Sequence, residues 1–185
     1  MPMVTVEHLA GQLSAPQKAE LAEELTQILL EIEGGGDTPF GRASSWVRFR
    51  EVEQGDWFVG GTNDGTHVSA SGLFLVEIYV PEGLLDQDRI SQAHRATTDA
   101  IVHVTNAGNA PAASTSVWVQ VFEWPDGRMG AGGNTSSLFR IAKRAGHPAE
   151  HPVLEFPRAY FAAKDRHYEA AGFPEKTSGR ALDRY

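Results

Sequence analysis

The chain contains no cysteine. That removes disulfides, thiol nucleophiles, iron–sulfur clusters and cysteine zinc sites together. No apolar run reaches the length of a membrane-spanning helix. Basic residues are the minority, 16 against 24 acidic, and the formal net charge is −8. This balance argues against nucleic acid and anionic membranes as partners. The first residues carry neither a basic segment nor an apolar one, so no secretory signal is expected and the cytoplasm is the expected location. No Gly-x-Ser-x-Gly elbow and no P-loop occur. What remains is ordinary globular composition, 41% hydrophobic and 22% charged over 185 residues. That length is enough for one well-buried core.

The chain repeats itself. Trp46 recurs as Trp118, Glu51 as Glu123, Gly55 as Gly127 and Gly60-Gly61 as Gly132-Gly133, each 72 residues on. Gly11 matches Gly83, and Ser14 matches Asp86, at the same offset. A gapless offset across unrelated residue types marks a tandem duplication. The expected organisation is one domain over residues 1–145, made of units 2–72 and 73–140, with a tail at 146–185. Each unit reads β-α-β. In the first, Val4-Thr5-Val6 begins a strand, and Ser14 with Gln17 forms a capping box with Pro16 in the first turn. Leu21, Leu25, Ile28, Leu29 and Ile32 follow at helical spacing, and Gly34-Gly35-Gly36 stops the helix. Trp46 to Val52 is the second strand. The second unit offers strands at Leu73–Val80 and Val117–Phe122 around a helix carrying Ile90, Ala93, Thr97, Ile101 and Val104. A β-α-β connection implies parallel pairing within each unit. In the tail, residues 158–171 read as a helix. The polar end beyond Gly172 reads as a frayed terminus or one that packs on a neighbouring subunit.

Position 2 is proline. Removal of Met1 leaves a secondary amine with its nitrogen held in one orientation by the ring. An α-amine titrates near pH 7.7–8.0, and burial or a nearby cation lowers that further. Neutral, it is a general base at pH 7. With Met1 retained, the same nitrogen is an amide and no base.

A short β-α-β unit opening on Met-Pro, a second strand ending in Glu, Gly four residues later and then Gly-Gly resemble the tautomerase superfamily. The stretch Val47-Arg48-Phe49-Arg50-Glu51 through Gly55 to Phe58-Val59-Gly60-Gly61 is similar to its fused, cis-3-chloroacrylic acid dehalogenase-like branch. So is Trp118-Val119-Gln120-Val121-Phe122-Glu123. The resemblance covers roughly residues 2–140. It implies an α+β tautomerase-like domain of the macrophage migration inhibitory factor type, assembled as a pseudo-sixfold homotrimer. It implies a cofactor-independent reaction of a small-molecule substrate at the proline, with Pro2 as the catalytic base. The same resemblance exposes departures. The positions of the branch's two carboxylate-binding arginines hold Val80 and Gly83. Its helical histidine aligns with Leu29, its strand tyrosine with Gln120 and its water-activating glutamate with Ala131. These departures argue against dehalogenation.

Substrate contacts are therefore sought elsewhere. Arg48 is the best remaining cationic candidate and shares one strand face with Arg50, so the two could form a displaced anion clamp; a solvated or intersubunit charge pair is the alternative reading of both. Gln120 is a candidate oxyanion donor. Trp57, Trp118 and Phe122 are candidates for an aromatic pocket, although packing also explains strand aromatics. No metal is expected: His147 and His151 have His-x-x-x-His spacing, but a proline follows each. Two rivals stand beside the enzyme reading: a non-catalytic trimeric binding or scaffold protein of the same fold, and a ferredoxin-like cofactor-free oxygenase dimer.

Overall fold

The computed structural model describes residues 2–33, 36–108, 111–180 and 182. Met1, and the Gly34-Gly35 part of the expected helix stop, lie outside the described residues. The first unit comprises β1 (Met3–Leu9), α1 (Ala15–Ile32), a short α2 (Pro39–Ser44) and β2 (Trp46–Val52). The second comprises β3 (Phe74–Pro81), α3 (Gln87–Thr105) and β4 (Val117–Trp124). The Ser14–Gln17 capping box starts α1, and the Asp86 carboxylate accepts from the Arg89 N–H at 2.9 Å to start α3. These caps satisfy N–H groups that have no partner within the helix.

The strands form one sheet in the order β2-β1-β3-β4. Pairing is parallel within each unit, β1 with β2 and β3 with β4, and antiparallel where β1 meets β3. Thr5 faces Glu77 across that junction, and these two residues are also repeat equivalents. A pseudo-twofold axis therefore passes between them and exchanges the units. This topology removes the ferredoxin-like alternative. A split β-α-β fold places another strand between its parallel pair, whereas here β1 and β2 are directly hydrogen-bonded.

Both long helices cover the same face of the sheet. Val4, Val6, Phe74, Val76, Ile78 and Val80 point into that layer and meet Leu21, Leu25, Leu29, Ala93 and Ile101. Each fully buried aliphatic side chain of this kind contributes about 1.5–3 kcal/mol. Alternation sends the other residues of each strand to the opposite face.

The repeated residues have a local reason. Gly11 and Gly83, both at positive φ, sit in the strand-to-helix turns. The Gly83 N–H donates to the Glu123 carboxylate at 3.0 Å, and Gly11 bonds Glu51 in the same way. Gly60-Gly61 and Gly132-Gly133 are the central pairs of two hairpin turns, with Val59 bridged to Thr62 and Ala131 paired to Asn134. All four glycines have positive φ, as such two-residue turns require.

The tail departs from expectation. The hairpin strands β5 (Met129–Ala131) and β6 (Asn134–Ser136) lead into α4 (Leu138–Arg144), which the sequence reading did not resolve. Its helix α5 (Glu155–Ala170) starts earlier than expected, with Pro157 buried in its first turn. The tail packs on its own chain. Leu138, Phe139, Val153, Leu154 and Phe161 join the main core. Nor does the end fray through the described residues. Buried Asp126 accepts from the N–H groups of Leu138 at 2.8 Å and Leu182 at 3.0 Å, and Arg128 donates to the Ser178 hydroxyl at 2.6 Å.

The core also holds a histidine. His8 is fully buried beside Phe49 and Phe74; its Nδ1 donates to the Leu9 carbonyl at 2.8 Å, and its Nε2 has no partner. Burial pushes the imidazole below the usual histidine range. The unfolded chain takes up a proton near pH 6.5 that the folded chain refuses, so stability is intact above that pH and is lost as pH falls. Thermal unfolding at pH 7 and pH 5 should show a lower Tm at pH 5, and His8→Leu should shrink the difference.

Candidate active site

Pro2 is buried and precedes β1 directly. Its carbonyl accepts from the Trp46 N–H at 3.2 Å. Continuing the β1–β3 register places Val80 beside Pro2 and Pro81 just beyond it. Strand alternation puts Pro2 on the helix-facing side with Val4 and Val6. The helix α1 returns antiparallel to β1, so its last residues lie over the Pro2 end.

A cavity of about 40 Å³ occupies this end. Leu30 and Glu33 of the α1 terminus, Phe40, Gly41 and Ser44 around α2, and Pro81 and Leu84 after β3 form its walls. Its roof is α4 and the tail: Leu138, Ile141, Ala142 and Ala145 from the first, His147, Val153 and Leu154 from the second. The lining is apolar except for Glu33, His147 and Ser44. Burial pushes the Glu33 carboxyl up. Burial, followed by the neighbouring His151, pushes the His147 imidazole down. A carboxyl held toward its neutral form and a neutral imidazole can each pass a proton near neutral pH. Sequence reasoning missed Glu33, which looks like one more acidic residue at a helix end. It singled out His147 for a different chemistry.

The other nominated residues lie elsewhere. Arg48, Gln120, Trp118 and Phe122 all stand on the sheet face opposite the helices. Across the four strands that face carries the rows Trp46–Met3–Tyr79–Phe122, Arg48–Thr5–Glu77–Gln120 and Arg50–Glu7–Leu75–Trp118. Arg48 donates to the Thr5 hydroxyl at 2.9 Å, Arg50 pairs with Glu7 at 2.8 Å, and Phe122 stacks on Tyr79 at 5.1 Å. Within one chain, none of the four lines the Pro2-end cavity.

Trp57 and Trp118 do meet. Both line a groove of about 370 Å³ with Phe58, His67 and Leu75. It lies at the far end of the sheet, five residues along β1 from Pro2, or about 17 Å. Residues 130–135 form the β5–β6 hairpin. The rings of His147 and His151 lie 4.2 Å apart, and no third ligating side chain joins them among the described residues. The one cluster that does gather is Glu20, Glu24 and His103 on the surface, where His103 bonds Glu24 at 2.7 Å.

Solved structures with this sheet and helix arrangement are similar to the chain. One is N1, a member of the cis-3-chloroacrylic acid dehalogenase family, at 20% identity and TM-score 0.55, covering 92% of this chain and 99% of that one. A fused 4-OT solved as an asymmetric trimer has 20% identity and TM-score 0.57, covering 72% and 94%. Pt0534, inactivated by 2-oxo-3-pentynoate, has 21% identity and TM-score 0.58, covering 75% and 98%. The chain has the tautomerase-superfamily fold. No family model matches it, and no curated protein does.

The positions that the resemblance assigns to carboxylate-binding arginines are closed to substrate within the chain. Val80 is fully buried in the core. Gly83, at φ +71°, lies under the Tyr160 ring, which a Cβ there would strike. The Tyr160 hydroxyl donates to Glu82 at 2.6 Å, and the Lys164 ammonium donates to the same oxygen. Burial, then Glu82, pushes the Tyr160 phenol far above its ordinary range. This cluster fastens α5 across the turn that holds Gly83. Tyr160→Phe should lower stability by about 1.5–3 kcal/mol, the size of a hydrogen bond to a charged group. Urea unfolding reads that loss, and limited proteolysis should show earlier cleavage in α5.

Proposed function

We propose that this chain is a cofactor-independent tautomerase-type enzyme. After removal of Met1, the Pro2 amine acts as general base on a small enolisable carbonyl or unsaturated acid. The observation that carries the reading is the seat of Pro2: buried at a strand end, at the same end of the sheet as a small apolar cavity whose lining includes Glu33 and His147. The amine takes the proton α to the carbonyl, and the electron pair moves onto the carbonyl oxygen. Glu33 or His147 lends a proton to that oxygen and takes it back as Pro2 returns its own to carbon and the carbonyl re-forms. For this role the resting amine must be neutral.

The working unit we propose is a homotrimer. Trp46 and Trp118 are 62% and 66% exposed on the open sheet face, beside Phe122 at 40%. An aromatic face of this kind calls for a partner, and the fused 4-OT neighbour is a trimer. In such an assembly Arg48, Gln120 and the Trp57 arm reach a neighbouring chain, which is where their substrate roles belong. The second reading, a non-catalytic trimer of the same fold, draws on the absence of lysine and arginine from the lining of the Pro2-end cavity among the described residues.

Two measurements test this. The intact mass of protein from its native host should be short by one methionine. In D2O, the enzyme should exchange α-protons of small ketones and oxo acids, and Pro2→Ala should slow exchange by about 10²-fold or more, the usual worth of a general base. A full-length mass, or exchange indifferent to Pro2, moves the assignment to the binding protein. Light scattering should give the mass of three chains, and Trp118→Glu should reduce it to one.

A further inference from the structure

The chain is strongly acidic overall, yet α4 concentrates three cations in seven residues: Arg140, Lys143 and Arg144. Helical spacing divides this segment into two faces. Leu138, Ile141, Ala142 and Ala145 form the stripe that roofs the Pro2-end cavity. Arg140, Lys143 and Arg144 form the other stripe. With Asn134, Thr135 and Ser136 they line a second, outer cavity of about 280 Å³.

The two cavities share Phe40 and Ile141 as lining residues, so the wall between them is one side chain thick. The Arg144 guanidinium stands 5.1 Å from the Phe40 ring centroid, at that wall. Neither Lys143 nor Arg144 has a carboxylate partner among the described residues. The inner cavity has the opposite character. Among the described residues its lining has no lysine or arginine, and it has Glu33. A carboxylate bonded directly to the reacting carbonyl would be desolvated there against the Glu33 carboxyl group.

We propose that the substrate is an oxo acid whose carboxylate is separated from the enolisable carbonyl by several carbons. Lys143 and Arg144 hold the carboxylate in the outer cavity, and the carbonyl reaches the Pro2 end past Phe40. Arginine and lysine suit this task, one as a planar fork and the other as a point charge. The proposal rests on the proton-transfer reading above and names the substrate class of that same site.

The test is α-proton exchange in D2O followed by NMR, with three probes: 5-oxohexanoate, 2-oxobutanoate and 2-hexanone. In each case an α C–H bond breaks, the proton passes to the Pro2 nitrogen, and a deuteron returns to carbon. The wild type should favour 5-oxohexanoate over both other probes. Lys143→Ala with Arg144→Ala should raise KM for 5-oxohexanoate, lowering its kcat/KM relative to 2-hexanone by about tenfold. Added salt should lower the same ratio. Both side chains are exposed, so the doubly substituted protein should fold; Lys143→Gln with Arg144→Gln gives a second, isosteric version. If exchange depends on Pro2 but the ratio does not move, or 2-oxobutanoate is preferred, the substrate proposal falls and the enzyme reading stands. If exchange survives Pro2→Ala, the enzyme reading falls and takes this proposal with it.

Discussion

The antiparallel junction of β1 with β3 is the constraint on which everything else depends. Each unit alone is a pair of parallel strands with a helix on one face, too small to bury that helix fully. Pairing β1 with β3 sets the two helices side by side over one continuous apolar surface. It also fixes where the ends of the units lie. Because Thr5 faces its own repeat equivalent Glu77, the start of one unit lies beside the end of the strand that opens the other. Pro2 therefore comes to rest next to Val80, Pro81 and the turn that follows.

That turn is where the chain has moved furthest from a simple duplication. In the second unit it is sealed by Glu82, Tyr160 and Lys164, and α5 lies across it. In the first unit the equivalent turn carries Gln12. Its side chain grips both polar groups of the Leu73 backbone, accepting at 3.1 Å and donating at 3.4 Å. The tail thus adds elements to one end of a symmetric frame and leaves the other to a side-chain amide. The small inner cavity, its apolar walls and its cationic neighbour are all products of that added material.

Much of the frame was legible in the sequence, because its residues recur for local reasons. Gly11 with Glu51, and Gly83 with Glu123, close equivalent turns, so they repeat at a fixed offset. The Gly-Gly pairs demand positive φ, and Ser14 and Asp86 cap helices; each effect acts within a few residues or across one strand pair. The site was less legible. Pro2 announces itself by chemistry at a terminus, but Glu33 and His147 gain meaning only through packing by residues a hundred positions away. Arg48, Gln120, Trp118 and Phe122 were nominated by alignment with strands. Strand alternation sends them to the face opposite Pro2, which a one-chain reading of motifs does not reveal. The tail helix was legible, but its start was set too late because the tail's prolines, read as breakers, occupy a first helical turn and a short 3-10 turn, where a missing N–H costs little.

Joining two units into one polypeptide has a stoichiometric consequence. Two free-standing units would each present an amino terminus; the fused chain has one for two equivalent ends. At the second end, Leu73 and Phe74 lie mid-chain, their nitrogens are amides, and no processing step can expose them. That end is released from any requirement to keep an amine accessible. Its surroundings, the wide groove of Trp57, Phe58 and Trp118, are bulky and aromatic, whereas the cavity at the first end is small. The duplication thus yields a pair of unequal halves, one bound to the chemistry of a terminus and the other free to take a different shape.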